Sequence, residues 1–400
     1  METGRFSSTL EIVIYLSQQF PPNNMTTCAT GLKPTAMPKR RATSPLLPTD
    51  LCFANDLAGE APPTFAAMCR LYELASKLFS LRPWQFLNES QLIAVRDSGS
   101  SEFCYCSVMG ALDEVYAMHG YIGTQGLRAF RRLEAEELTE PGEFFAIMRS
   151  VYVEFVPRSE LEKQDRELLE MLDHPTGHSV AAPIFRAIRP GFQPWFVTAA
   201  EADTLAECLR GVIVVASAAA SQKKVRFWDE ADTYPIVTRV EGTEPPDKID
   251  LLEFRLPPAP TIPPASLDEK SLEALRGHDY AVRGTMELDH IFSGTPIGKK
   301  NERKACASIA LAVDADSGVV YAPEITDASI ARADILARVF VKAVQSSRTL
   351  PQEIRVRSQE LKDSLAPLMQ SFSIKVHVAK QLPASDLARA HLLNFLGGRQ

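Results

Sequence analysis

The chain has 400 residues, of which 45% are hydrophobic and 23% charged, and its formal net charge is -7. That length exceeds what one hydrophobic core usually fills and predicts two or three domains. Mild acidity argues against a protein built for bulk attraction to nucleic-acid phosphates. Seven scattered cysteines form no C-x-x-C pair, which excludes a zinc ribbon and a disulfide scaffold and points to a reducing cytoplasm.

The opening stretch METGRFSSTLEIVIYLSQQF has a short apolar run interrupted by Glu11 and lacks the pattern of a secretory signal. No run of eighteen apolar residues occurs, so no membrane span and no membrane partner is expected. Residues 1–63 read as a disordered leader, rich in Pro, Thr and Asn, with a small basic cluster at Lys39, Arg40 and Arg41. Order is expected to begin at TFAAMCRLYELASKLFSL, where Met68, Leu71, Tyr72, Ala75, Leu78 and Phe79 share one helical face. WQFLNESQLIAVRD, EFCYCSVMG and DEVYAMHGYIG predict a small antiparallel meander, followed by a helix over TQGLRAFRRLEAEELT. FFAIMRSVYVEFVPR reads as one long or two short strands. SELEKQDRELLEML reads as a helix, with Ser159 as cap and Glu162 three residues on. QPWFVT predicts a strand and EADTLAECLRGVIVVASAAA a helix with a buried half. KKVRFW, TYPIVTRV and KIDLLEFRLP complete a region spanning residues 64–256 and read as an N-terminal α+β domain with an antiparallel sheet.

Residues 257–269, PPAPTIPPASLDE, form the clearest seam, a semi-extended proline-rich linker. The second domain, 270–400, opens with the strand YAVRGTMELDH. A hairpin follows, with ACASIALAVDAD and GVVYAPEIT joined around Asp316-Ser317-Gly318. ASIARADILARVFVKAVQSS is an amphipathic helix, EIRVR a strand and SQELKDSLAPLMQS a helix capped by Ser358, which Pro367 should end or bend. SIKVHVA and PASDLARAHLLNFL add a last strand and helix. Strands alternating with helices of this length predict parallel pairing beside the hairpin, in a mixed α/β sheet covered by helices. The order is similar to that of ribonuclease-H-like folds. The overall class is α+β.

The stretch RLYELASKLFSLRPWQFLNESQLIAVRDSGSSEFCYCSVMGALDEVYAMHGYIGTQGL resembles a bacterial domain of unknown function, the family numbered 7309. The second half, from ASIALAVDADSGVVYAPEI to SIKVHV, resembles the family of unknown function numbered 6930, which commonly follows the first. The two resemblances together cover most of the chain after residue 64, and neither implies an activity or a cofactor.

Function must then be sought residue by residue. Ribonuclease-H-like enzymes hold divalent metal between an aspartate on an early strand and a second acid after the next crossover, because hard cations need several convergent oxygens. Asp314 is the candidate for the first position. The second should lie near the end of EIRVRSQEL, where the chain has Arg357 and Ser358, and the nearest acid is Glu360. That departure removes the centre of a metal site, so neither metal nor cofactor is assigned and Asp314 is the sole catalytic candidate. Gly120, Gly123 and Gly126 precede a helix whose free amides can hold an anion, although the spacing is not G-x-G-x-x-G. Gly123, Gly126, Lys299, Lys300, Arg303 and Lys304 are the candidate anion contacts, and ELDHIFSGTPIGKKNERK reads as an exposed basic loop. Cys104 and Cys106 share a strand face and read as buried and inert, while His174 and His178 read as a solvated loop. Trp84, Trp195 and Trp228 read as core or domain packing. The reading that results is a non-catalytic interaction or scaffold protein with a protein partner and no nucleic acid. A divergent nuclease or nucleic-acid-associated protein and a small-molecule hydrolase at the domain junction are the alternatives.

Overall fold

The structure is a computed structural model and describes residues 60–96, 102–138, 140–172, 181–221, 232–239, 247–277, 279–299 and 302–397. The expected leader lies outside these residues except for 60–63, as do His174, His178, Trp228 and Lys300. The chain divides into two units. Unit 1 takes residues up to Thr139, with Ile147–Pro257 and Gly298–Lys304; unit 2 takes Glu140–Ala146, Pro258–Ile297 and Ala305–Gln400.

In unit 1, Thr64 accepts a hydrogen bond from the Ala67 amide and so starts α1, Phe65–Leu81. Its apolar face, from Met68 to Phe79, is buried. Strands β1 (Ile93–Arg96), β2 (Phe103–Met109) and β3 (Tyr116–Ile122) follow, then helix α2 (Gly123–Glu134). The expected strand at FFAIM instead falls in helix α3, Pro141–Ile147, which belongs to unit 2 up to Ala146. Pro141 fixes the first helical turn, where its missing N–H costs nothing, and this outweighs the strand preference of the two phenylalanines. Strand β4 (Ser150–Val156) comes next, then α4 (Lys163–Met171). Here Ser159 is not the cap: Arg158–Glu160 make a 3-10 turn and the helix starts from Glu162. Leu161 between them is extended and buried, which breaks the helical run.

Strand β5 (Ala182–Ile188) carried no assignment from sequence. Both Nη atoms of Arg186 at its centre donate to the Asp165 carboxylate, at 2.9 and 2.6 Å, in a buried pair. β6 (Trp195–Phe196), α5 (Ala199–Ala220), β7 (Thr233–Arg239) and β8 (Asp247–Glu253) complete the unit. The sheet order is β6-β5-β4-β3-β2-β1-β7-β8, antiparallel throughout except between β1 and β7. α1 and α5 share one hydrophobic core with the sheet face that bears Val95, Cys106, Met118, Val151 and Val153. A Cβ on Gly120 would meet the Cys208 sulfur of α5, so the glycine sets how closely that helix lies on β3. Cys104 and Cys106 are buried in this core.

Unit 2 holds α6 (Glu269–Arg276), β9 (Ala281–Val282), β10 (Thr285–Ile297), β11 (Ala305–Asp314), β12 (Val320–Asp327) and α7 (Arg332–Ser347). After them come β13 (Thr349–Leu350), β14 (Glu353–Val356), α8 (Gln359–Gln370), β15 (Lys375–Val378) and α9 (Pro383–Gly397). The sheet order is β12-β11-β10-β14-β15. The first three strands pair antiparallel, and β10–β14 and β14–β15 pair parallel, the mixed pattern that alternating strands and helices predict. Ser358 caps α8 as expected. Pro367 lies inside that helix, which continues to Gln370 with Met369 buried. Strand periodicity sorts β10: Met286 and Leu288 belong to the core shared with α7 and α8, while Ile291 joins Ile309, Leu311 and Val313 against α9. Among the described residues, no helix is long and apolar enough to cross a membrane.

Candidate functional site

The central strand of unit 2 carries two buried acids, Glu287 and Asp289, each 1% exposed. Alternation along β10 places both on the face that α9 covers. Sequence reasoning places Asp289 and His290 both at the end of the strand YAVRGTMELDH and at the start of an exposed loop; the strand reading holds, and both residues are buried within a thirteen-residue strand. The apolar signal that would have shown this, Met286, Leu288, Ile291 and Phe292, is diluted by three polar residues, Glu287, Asp289 and His290.

Every charge around Asp289 is answered. Arg357, just past the end of β14, donates from Nε to Oδ1 and from Nη2 to Oδ2 of Asp289, both at 2.7 Å. Its Nη2 also donates to Asp386 of α9 at 2.7 Å. Hydrogen bonds to Asp289 hold the Arg357 guanidinium well above its ordinary pKa. Arg389, one helical turn along α9, bonds Glu140 and stands 3.9 Å from Asp289. Glu140 also accepts from the Phe292 amide at 2.8 Å, and burial is the main cause that raises its pKa. Glu287 accepts from the Ser385 amide at 2.8 Å, where α9 begins, while the buried Ser385 hydroxyl finds no partner among the described residues. The His290 ring meets Ser308 Oγ at 2.5 Å, and burial pushes its pKa down to about 3. Ser308 is fully buried, so this serine–histidine contact offers no substrate access.

Asp314 is elsewhere, at the turn between β11 and β12. Its Oδ1 accepts from the Asp316 and Ser317 amides at 3.2 and 2.7 Å and from the Ser317 hydroxyl at 2.7 Å. These bonds, that from the Ser317 hydroxyl first, lower its pKa. Gly318 takes φ +72°, the left-handed conformation the hairpin needs. The nearby acids are committed separately: Glu324 pairs with Arg338 and Lys342, and Glu360 with Arg332. Among the described residues, no group of three or more His, Cys, Asp or Glu side chains is arranged to hold a metal ion.

Of the candidate anion contacts, all but Lys300 lie within the described residues. A Cβ on Gly123 would overlap the Glu102 carboxylate, so a chain acid already stands at the start of α2. Gly126 lies against the backbone of Tyr121 and Arg149, where only a glycine fits. Arg303, within unit 1, points inward to the carbonyls of Ala187 and Phe196 at 3.2 and 3.4 Å and stands 3.6 Å from Glu201. Lys304 bonds the carbonyl of Lys299, and Lys299 is exposed.

Unit 1 contains a cleft of about 690 Å³ at one end of its sheet. The end of β3 (Ile122), the start of β4 (Arg149 and Ser150), the end of β5 (Ile188 and Arg189) and the first turns of α5 line it. Its rim alternates in charge: Arg70 pairs with Glu207, and Arg189 with Glu60 and Glu201, all at 2.7 Å. Arg149 pairs with Glu102 at 2.7 Å. α5 enters with a full capping box between Thr198 and Glu201, so its first amides are already engaged. Ser150 is among the lining residues, but its hydroxyl is buried and has no hydrogen-bond partner among the described residues.

Residues 69–237 match the family described as Domain of unknown function (DUF7309), and residues 272–393 match the Domain of unknown function (DUF6930). The chain joins a DUF7309 domain to a DUF6930 domain. The DUF7309 match takes in all of the cleft lining except Glu60, and the DUF6930 match takes in Glu287, Asp289, Arg357 and Arg389. No curated protein matches the chain.

Proposed function

We propose that this DUF7309–DUF6930 chain is a non-catalytic interaction protein, and that its DUF6930 unit is a ribonuclease-H-like sheet whose acidic centre is neutralised from within. One observation carries this reading. At the end of β14, where such a fold would need a second metal-binding acid, the chain has Arg357, and its guanidinium is bidentate on Asp289. A guanidinium and a divalent ion compete for the same carboxylate oxygens, and the fork geometry of arginine fills both of them. Asp289 is therefore a structural anion in this reading, and the rest of the unit serves as a rigid platform for a partner protein.

The test is hydrolysis. The whole protein is incubated with plasmid DNA and single-stranded RNA in millimolar Mn²⁺ or Mg²⁺, beside Asp289→Asn and Asp314→Ala. The reading expects the same background from all three. Metal-dependent cleavage that either substitution abolishes overturns it and favours the nuclease alternative. Retention of the protein on polyanion resin at low salt would likewise favour a nucleic-acid role, because backbone attraction is strongest there.

A further inference from the structure

The eight-stranded and five-stranded sheets end in four outer strands, and three of these are blunted against further pairing. An edge strand exposes a row of unpaired N–H and C=O groups, and proteins guard it by shortness, proline or irregularity. β6 has two residues and β15 four. β12 carries Pro323, and its register with β11 shifts between Ala310 and Ala312. β8, at the far end of the unit 1 sheet, has none of these guards. Its seven residues, Asp247–Glu253, contain no proline and pair with β7 in unbroken register, from Arg239 opposite Asp247 to Thr233 opposite Glu253. Among the described residues, no strand lies on its other side. Alternation gives β8 two unlike faces. Ile249, opposite Val237, packs at the margin of the core under α5, and Leu251 on the same face stays 57% exposed. Lys248 and Asp250 lie on the other face, 2.8 Å apart.

We infer that β8 is a homodimerisation strand: the β8 edges of two copies of this chain pair antiparallel about a two-fold axis and join their eight-stranded sheets. Charge complementarity argues for a second copy as the occupant. A two-fold axis normal to the sheet keeps each face on its own side, so every register centres on one residue. Centring on Ile249 sets Lys248 of each copy against Asp250 of the other. It also sets Ile249 against itself with Leu251 on the diagonal, which covers the apolar margin of both cores. Centring on Lys248 or on Asp250 opposes like charges instead. Among registers centred within the strand, the Ile249 register alone sets opposite charges against each other. Opposite charges facing across a strand pair stabilise it, and like charges destabilise it. This inference concerns unit 1 and stands or falls separately from the reading of unit 2.

The experiment uses the full chain. Sedimentation velocity is run from micromolar to millimolar concentration, with hydrogen exchange of the β8 amides at both ends of that range. The expected result is a monomer–dimer equilibrium in which the β8 amides gain protection as dimer forms. Lys248→Asp and Asp250→Lys each oppose like charges twice and should weaken dimerisation about tenfold or more. Both side chains reach solvent, 67% and 44% exposed, so both variants should melt like the parent when followed by tryptophan fluorescence. An equimolar mixture of the two variants should dimerise at least as well as the parent, because the acidic strand of one then faces the basic strand of the other. The inference is overturned if the chain stays monomeric throughout, if the single variants dimerise like the parent, or if the mixture fails to restore what each variant loses. Protection of the β8 amides that is already complete in the monomer also overturns it, since another segment of the same chain then occupies the edge.

Discussion

Arg357 and Asp289 face each other in two parallel hydrogen bonds, Nε to Oδ1 and Nη2 to Oδ2, each 2.7 Å long. The carboxylate is buried and the guanidinium only partly so, with 27% of its side chain exposed. Removing one partner of such a pair costs about 3 kcal/mol or more, because the other charge is left in a poor solvent. Arg357→Ala should therefore destabilise unit 2 by about that amount. The double change Asp289→Leu with Arg357→Met should be near neutral, because no lone charge is left behind. All three tryptophans fall within unit 1, so the readout for unit 2 is hydrogen exchange of the β10 and β14 amides.

Exchanging the guanidinium for a carboxylate makes the opposite prediction. In Arg357→Asp, the new acid joins Asp289 and Glu287 on one sheet face, and mutual repulsion should loosen the unit. Hard cations favour several oxygen donors, so millimolar Mn²⁺ should restore hydrogen-exchange protection in the variant and leave the parent unchanged. A variant indifferent to Mn²⁺ would show that these carboxylates do not converge on one point.

Asp314 has a structural task at its turn. Asp314→Ala removes the acceptor for two amides and a hydroxyl and should cost about 1 kcal/mol, the range of a lost capping side chain. Asp314→Asn keeps an acceptor oxygen and should cost less. Denaturant titration followed by hydrogen exchange at Val313 and Val320 separates the two.

Unit 1 should respond to pH through two groups of opposite sign, the buried His119 and the half-buried Glu154. His119 lies flat on Tyr152, with ring centroids 4.5 Å apart, and burial pushes its pKa down to about 4. The unfolded chain takes up that proton first, so the stability due to neutral His119 is complete above pH about 6.5 and is lost as pH falls toward 4. Glu154 is raised to about 7 by burial and then by repulsion from Glu160. Its contribution is present below the ordinary carboxylate pKa and is lost as pH rises through 7. His119→Gln should flatten the acid limb of the stability profile. Glu154→Gln should stabilise unit 1 at pH 8 by up to about 3 kcal/mol, given about 1.4 kcal/mol for each pH unit of displacement. Tryptophan fluorescence in urea across pH 4–8 reads both.

Much of the fold was legible because apolar period and capping chemistry agree. α1 follows from Thr64 and its buried stripe, and the hairpin from Asp314 to Gly318. Legibility failed where charges are buried in pairs. Arg186 hides β5 because Asp165, far off in sequence, neutralises it. The strand at β10 was legible up to His290, but Asp289 hides its burial because its partner Arg357 lies 68 residues away. The cleft of unit 1 left no local signal, since its wall is drawn from several separate elements.

Neither unit is a single uninterrupted piece of chain. Residues 298–304 complete the first, where Arg303 ties down the Ala187 and Phe196 carbonyls; residues 140–146 complete the second, where Glu140 receives the Phe292 amide. A gene cut at the proline-rich seam would thus yield two halves that each lack a stitch carried by the other. Intact polypeptide, or fragments supplied together, is the material on which biochemistry with this protein should begin.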